Sequence, residues 1–343
     1  MKILIISNMY PSEQKPYAGV FVKNQYEALL RNIGKNDSVH IFAMQRTFTS
    51  SIGSVLKYFK AFVEFTPHYF RRYNIIHLHF FYPLILLGYL YKRIHPSSKV
   101  VVTFHGSDIT SHINGGLNQK IFKFFSKFID IPISVGADLA NEITDKLGLN
   151  VQEIISAGVN QEVFKPLSLE KKYDFIFVGS FINRKGLDLL LKAIEMIDNK
   201  KIRYCIVGSG ELEKDVINVQ KNNPITLLKN QSQQQLCELY NQSKYFILPS
   251  RNEPFGLVAT ESMFCATPAI VSNVGGLKSQ VIDNENGFII PELTSEAVAS
   301  AILKAYNISN DNYSLMIENA LSSNKEHSMH SIISKLIKIY KND

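Results

Sequence analysis

The chain has 343 residues, 45% hydrophobic and 20% charged, a balance that suits a soluble globular protein and excludes a disordered one. That length exceeds one ordinary core and predicts two domains of roughly 150 residues each. The net charge of +7 is unevenly carried: residues 1–165 hold 18 Lys and Arg against 11 Asp and Glu, and 166–343 hold 19 of each. An anionic acceptor or surface should therefore meet the first half.

In chain order, the opening MKILIISNMY has one lysine and an apolar run too short for a secretory leader, so it reads as a first buried strand. KILIIS, SVHIFAM, IIHLHF, KVVVTFHG and DIPISVG are the expected strands of a first unit; YDFIFVGS, IRYCIVGSG, ITLLKN, YFILPS and PAIVSN are those of a second. Continuous Ile, Val, Leu and Phe runs suit parallel strands covered on both faces. Helical stretches such as GVFVKNQYEALLRNI and KGLDLLLKAIEMI fall between them, so the βαβα order predicts a doubly wound sheet occurring twice. The most apolar window, FFYPLILLGYLY at 80–91, contains Pro83 and falls short of the roughly twenty residues a bilayer span needs. A soluble, cytoplasmic chain is expected. Cys205, Cys237 and Cys265 are far apart with no CxxC, which argues for a reducing compartment and against a zinc site.

The break between units falls in the polar NQEVFKPLSLEKKYDF (160–175). Domains are expected at 1–165 and 166–311, followed by a helical tail at 312–343 that can pack back on the N-terminal domain.

In open α/β sheets ligands bind at the carboxyl ends of strands, so functional residues should follow strands. RNEPFGLVATE (251–261) does so, after YFILPS. Pro254 and Gly256 fit a turn, and LVATESMF continues as a helix. Glu253 would sit at the helix start and Glu261 in its first two turns, roughly 7 Å further along the axis. Between them lie the unpaired N–H groups of a helix N-terminus, which suit an anion. One carboxylate could bind sugar hydroxyls and the other a ribose; two solvated surface acids are the plainer alternative. FVGSFINRKGLDLLLKAI (177–194) places Arg184, Lys185 and Gly186 at a helix start. A lysine there opposes the macrodipole unless an anion such as a diphosphate relieves it; a solvated basic loop is the alternative. His105 ends the strand run VVVTFHG, as a residue facing a cleft would. Gly275-Gly276 can bring backbone close to a ligand or form a plain turn.

Other chemistries lack their motifs. There is no GxxxxGK[ST], GSGELE fails GxGxxG at Glu213, and no GxSxG occurs. Without an Asp-x-Asp pair, no carboxylate-held metal is expected. No nucleic-acid-binding module is visible.

Taken together, FVGSFINRKG, IVGSGELE and LPSRNEPFGLVATESMFCATPAIVSNVGGLKSQVIDNENGFII resemble the C-terminal domain of glycosyltransferase family 4, retaining enzymes of the GT-B fold. NMYPSEQKPYAGVFVKNQYEAL, IIHLHF, VVTFHGSD and ISAGVNQEVFKP resemble its N-terminal half. The resemblance implies an α/β protein of two Rossmann-like, doubly wound domains facing across a cleft, the first binding acceptor and the second nucleotide sugar. It implies that Glu253 contacts the transferred sugar, Glu261 the ribose and Lys185 the diphosphate, with His105 at the reacting face. Gly19 would approach the phosphates, and Phe255, Gly256 and Leu257 would add backbone donors. The family often has Arg where Ser180 stands, a role Arg184 can take.

The implied reaction is retaining, metal-independent transfer of a hexose-type sugar from a nucleoside diphosphate, UDP before GDP, to a saccharide or lipid-linked acceptor. No cofactor is expected beyond the sugar nucleotide substrate. Bacterial surface polysaccharide or glycolipid synthesis is the implied setting. Lysines and arginines interleave with Phe and Tyr in 54–73 and 119–129, which suits a peripheral position on an anionic inner membrane surface; an ordinary core helix with a solvated basic edge is the alternative. A hydrolase or epimerase of the same fold, or a non-catalytic sugar-nucleotide binder, is the alternative.

Overall fold

The computed structural model describes residues 1–12, 18–44, 51–110, 113 and 116–341, with the backbone alone for 51–58 and 110. The chain forms two compact units, 1–158 with 329–343, and 159–328. The division comes before the expected boundary at 165/166, because Val159 and Phe164 already belong to the second unit's core.

In the first unit the elements run β1 (Lys2–Ser7), α1 (Val20–Asn32), β2 (Ser38–Ala43), α2 (Ser51–Tyr69), β3 (Ile75–His79) and α3 (Ile85–Ile94). They continue with β4 (Lys99–Phe104), α4 (Ser107–Thr110), α5 (Gly116–Ser126), β5 (Ile131–Ser134), α6 (Ala137–Leu147) and β6 (Glu153–Ile154). The second unit has β7 (Tyr173–Val178), a 3₁₀ turn at Asn183–Lys185, α7 (Leu187–Met196), β8 (Tyr204–Val207), α8 (Glu213–Gln220), β9 (Ile225–Leu228) and α9 (Gln233–Asn241). Then come β10 (Ser243–Leu248), α10 (Leu257–Phe264), β11 (Ala269–Ser272), α11 (Leu277–Gln280), β12 (Gly287–Ile290), α12 (Ser295–Tyr306) and α13 (Asn310–Ser323), before α14 (Met329–Lys341) rejoins the first unit.

All ten expected strands form, and each sheet gains a sixth, β6 and β12. These two are short and follow polar loops, so no extended apolar run announces them. The expected tail at 312–343 divides: Met316 and Ala320 of α13 enter the second unit's core. Met329, Ile332, Ile333, Leu336 and Tyr340 of α14 enter the first unit's core beside Val22 and Leu29 of α1.

Both sheets are wholly parallel among the described residues, ordered β2-β1-β3-β4-β5-β6 and β12-β11-β10-β7-β8-β9. Their central strands are covered on both faces, every residue of β1 and β7 after the first being buried, because helices lie on both sides. The second order is that of a Rossmann sheet read from the far edge. Its direction of winding reverses between β7 and β10, and between β1 and β3 in the first sheet. Such switch points are where open α/β sheets bind ligands.

Candidate active site

At the second unit's switch point, the loop after β7 meets the loop after β10. Lys185 Nζ is ion-paired with Glu253 Oε2, a contact between residues 68 apart in sequence. Both side chains are largely buried, 15% and 11% exposed, so neither is a solvated surface charge. Lys185 ends the 3₁₀ turn rather than opening the helix, which starts at Leu187 with Gly186 as its cap. Glu253, and not only an added anion, therefore relieves the conflict expected between Lys185 and the dipole of α7.

The two loops are held together by their backbones. Arg251 N–H donates to Arg184 O at 2.8 Å, and the Arg251 guanidinium forks onto both oxygens of Asp188 at 2.7 Å. Arg184 is exposed and reaches Asn252 O with one guanidinium nitrogen at 3.4 Å. A Cβ on Gly186 would lie 1.8 Å from Pro249 O, so only glycine lets these loops approach.

Glycine is also required on the other side of Glu253. At Gly275 a Cβ would lie 2.0 Å from Glu253 O, and Gly276 N–H donates to that same oxygen at 2.9 Å. The Gly275-Gly276 pair thus buttresses Glu253, and the second glycine's amide is spent within the protein. Gln280 supports Phe255 by donating to its carbonyl oxygen, while its own Oε1 accepts from Thr260 Oγ1 at 2.7 Å.

α10 begins at Leu257, capped by Gly256 in the left-handed region at φ 91°. Its first internal bond is Ala259 N–H to Gly256 O, at 2.9 Å. Among the described residues the N–H groups of Phe255, Gly256 and Leu257 have no protein acceptor. This is an amide-lined helix tip, positively polarised and beside Lys185's partner.

Glu261 is in the second turn of α10 and only 7% exposed, its Oε2 accepting from Tyr240 OH at 3.5 Å. Burial pushes its carboxyl up to about 8, against a smaller lowering by the tyrosine hydroxyl. Both acids of RNEPFGLVATE are therefore buried, and the alternative of two solvated acids fails.

In the first unit, His105 follows β4 and packs among rings. Phe80, Phe21 and His79 have centroids 4.5, 5.0 and 5.5 Å from it. Phe80 adopts φ +79°, an uncommon conformation for a bulky residue, and its ring lies against His105. His105 N–H donates to Asp108 Oδ1 at 3.2 Å, and Asp108 Oδ2 accepts from Phe81 N–H at 2.8 Å. Burial, followed by the neighbouring His79, holds the His105 imidazole well below its ordinary value and hence neutral. Gly19 caps α1 at φ +69°, where a Cβ would sit 2.5 Å from the Met9 carbonyl.

The structure thus pairs Lys185 with Glu253 and sets Arg184 beside Asn252, next to the Phe255–Leu257 tip, while Glu261 lies a turn further along α10 against Tyr240; in the first unit His105 follows β4 and Gly19 caps α1. Sequence reading missed Arg251, Asp188, Gln280, His79 and Asp108. The HLH of IIHLHF, two histidines on one face of a strand, was a usable signal for His79.

Two doubly wound parallel sheets with an amide-lined, cation-flanked helix tip at a switch point define an α/β protein with a candidate anion-binding site. Residues 146–322 match the family described as Glycosyl transferases group 1, and residues 20–163 match Glycosyltransferase Family 4. An uncharacterised glycosyltransferase of Methanocaldococcus jannaschii is 32% identical over 78% of this chain and 75% of its own. An N-acetyl-alpha-D-glucosaminyl L-malate synthase of Bacillus anthracis is 26% identical over 63% of this chain and 61% of its own length. In fold, the chain is similar to Anabaena HepE, solved with UDP and glucose, at a TM-score of 0.80 and 16% identity over the whole of both chains. The chain belongs to the glycosyltransferase group 1 and family 4 lineage and has the GT-B fold.

Proposed function

We propose that the protein is a retaining, metal-independent hexosyltransferase that takes its sugar from a nucleoside diphosphate, uridine before guanosine. The observation that carries this reading is the buried Lys185–Glu253 pair beside the open amides of Phe255, Gly256 and Leu257. Cleaving a glycosyl–phosphate bond adds negative charge to the leaving diphosphate. Lys185, Arg184 and the α10 tip are fixed donors for that charge, and no metal ion is then needed. Glu253 would exchange part of its contact with Lys185 for sugar hydroxyls, and Glu261 would take those of the ribose. The HepE complex, which contains UDP and glucose, supports the uridine preference.

The acceptor falls to the first unit. Residues 51–129 carry 10 Lys and Arg against 2 Asp and Glu, enough to account for the whole chain's positive excess. On α5, Leu117, Ile121 and Phe124 form an i, i+4, i+7 apolar stripe, yet all three are exposed and alternate with Lys120 and Lys123, with Lys127 just past the helix end. Phe70, after α2, is 84% exposed beside Arg71 and Arg72. A basic aromatic surface of this kind suits an anionic bilayer and a lipid-linked acceptor. Among the described residues no helix is long and apolar enough to cross a membrane, so the contact would be peripheral, and we place the setting in bacterial surface polysaccharide or glycolipid synthesis.

The test is thermal denaturation against UDP-, GDP- and ADP-hexoses, then transfer with the stabilising donor and NMR of the product's anomeric proton. A ligand at a hundredfold its Kd adds about 2.7 kcal/mol. No stabilisation by any of the three, or an inverted product, would overturn the reading.

A further inference from the structure

The open amide of Gly256 is governed by a side chain to which the proposed reaction gives no role. Gln280 Nε2 donates to Phe255 O, and Gln280 Oε1 accepts from Thr260 Oγ1 at 2.7 Å. Gln280 is 3% exposed and Thr260 is fully buried. The backbone of Gln280 is held as well: its carbonyl accepts from Asn286 Nδ2 at 3.0 Å, and Asn286 Oδ1 accepts from Ile282 N–H at 2.7 Å.

Chemistry leaves one orientation for this side-chain amide. A peptide carbonyl oxygen has no proton to give, so the nitrogen of Gln280 must face Phe255 O. The oxygen of Gln280 then faces Thr260, whose hydroxyl supplies the proton. The reversed amide would set two acceptors against each other in a buried place.

The Phe255 carbonyl and the Gly256 N–H belong to one planar trans peptide and point in opposite directions. Holding the carbonyl against the buried Gln280 therefore turns the Gly256 N–H to the other side, where it has no protein acceptor among the described residues. Gly256 itself does not fix that plane. Its φ is 91°, and glycine takes negative φ about as readily, so a turned-over plane is open to it. The bond from Ala259 N–H to Gly256 O fixes only the next peptide along. Turned over, the tip would present an acceptor where an anion needs a donor.

We propose that Gln280 is a positioning residue: oriented by Thr260, it holds the Phe255 carbonyl inward and so aims the Gly256 N–H outward as a donor to a bound anion. That the anion is a diphosphate rests on the transferase reading above; the orientation of the peptide does not.

The experiment is a crystal structure of the full chain and of Gln280→Met, with calorimetric titration of both by inorganic pyrophosphate. Methionine keeps the length of the side chain and removes the donor. The 255–256 plane should turn over in the variant, with Gly256 at negative φ, and pyrophosphate affinity should fall about tenfold or more. A plane that stays as in the wild type overturns the proposal, whatever the protein binds or transfers. A plane that turns over while pyrophosphate affinity is unchanged supports the orientation and counts against the diphosphate reading, so the two failures are separate. Thr260→Val is the second variant, since it keeps the branched shape and removes the hydroxyl that orients Gln280. It should weaken pyrophosphate binding about threefold, and the double variant should bind no more weakly than Gln280→Met alone. Additive losses would show two separate packing effects and overturn the orientation by Thr260.

Discussion

Replacing Glu261 by Gln should abolish a pH dependence of stability that the wild-type chain carries. In the fold, burial moves this carboxyl from 4.5 to about 8. Between those pH values the native state binds a proton that the unfolded state has released, so stability is lost as pH rises through the window. At 1.36 kcal/mol per pH unit the ceiling is about 5 kcal/mol. Relaxation and water entry around the ionised form reduce that to about 2–3 kcal/mol. Glutamine keeps the shape and the Tyr240 contact and cannot ionise. The assay is thermal and urea denaturation of both chains from pH 5 to pH 8, read as the difference between them so that other titrating groups cancel. The Gln variant should gain on wild type steadily across the range, by about 5 °C or more in Tm at pH 8 relative to pH 5. A flat difference would mean that Glu261 ionises freely in the native state, and the buried environment described here would be refuted.

Three further outcomes are expected. Lys185→Ala should cost about 3 kcal/mol of transition-state stabilisation, roughly a hundredfold in kcat, and a loss under twofold in a transfer assay would remove it from the leaving-group site. Gly275→Ala would drive a Cβ into the Glu253 carbonyl; it should cost about 1–3 kcal/mol and weaken donor binding, and an unchanged Tm and donor Kd would refute the buttress. Reversing Lys120, Lys123 and Lys127 together to Glu should weaken co-sedimentation with phosphatidylglycerol vesicles about a hundredfold or more, at about 1 kcal/mol per charge, and equal binding by both chains would rule out α5 as the membrane face.

The strands were legible because each is a short run of β-branched and aromatic residues whose period shows without any partner. KILIIS forms where the pattern puts it, β4 takes the KVVVTF of KVVVTFHG, and β10 runs over SKYFIL, two residues ahead of YFILPS. β12 was not, since GFII after DNENG is stabilised by pairing with β11 at Ala269–Ser272, a contact the local sequence does not record. Within the site, Gly256 and the start of α10 could be read from the turn chemistry of PFG. The partnership of Lys185 with Glu253 could not, because spacing along a chain says nothing about which strand lies beside which. Gln280 and Arg251 escaped for a related reason: each acts by hydrogen-bonding backbone in a segment distant in sequence.

Sheet order closes that gap. With β10 beside β7, the loops leaving their carboxyl ends have nowhere to go but toward each other, and glycines at 186 and 275 let their backbones touch. Lys185 and Glu253, one in each loop, meet at this spot, sheltered enough that each needs a partner. An ion pair in such a position has already lost much of its water. A diphosphate approaching Lys185, with hydroxyls approaching Glu253, would replace protein contacts rather than strip hydration from bare charges, so in the transferase reading the pair lowers the desolvation cost of binding its donor. That argument concerns the second unit alone and predicts that it binds sugar nucleotide with the first unit's His105 removed. His105→Ala should therefore leave donor Kd within about twofold while kcat falls, and a parallel loss of both would tie His105 to binding instead.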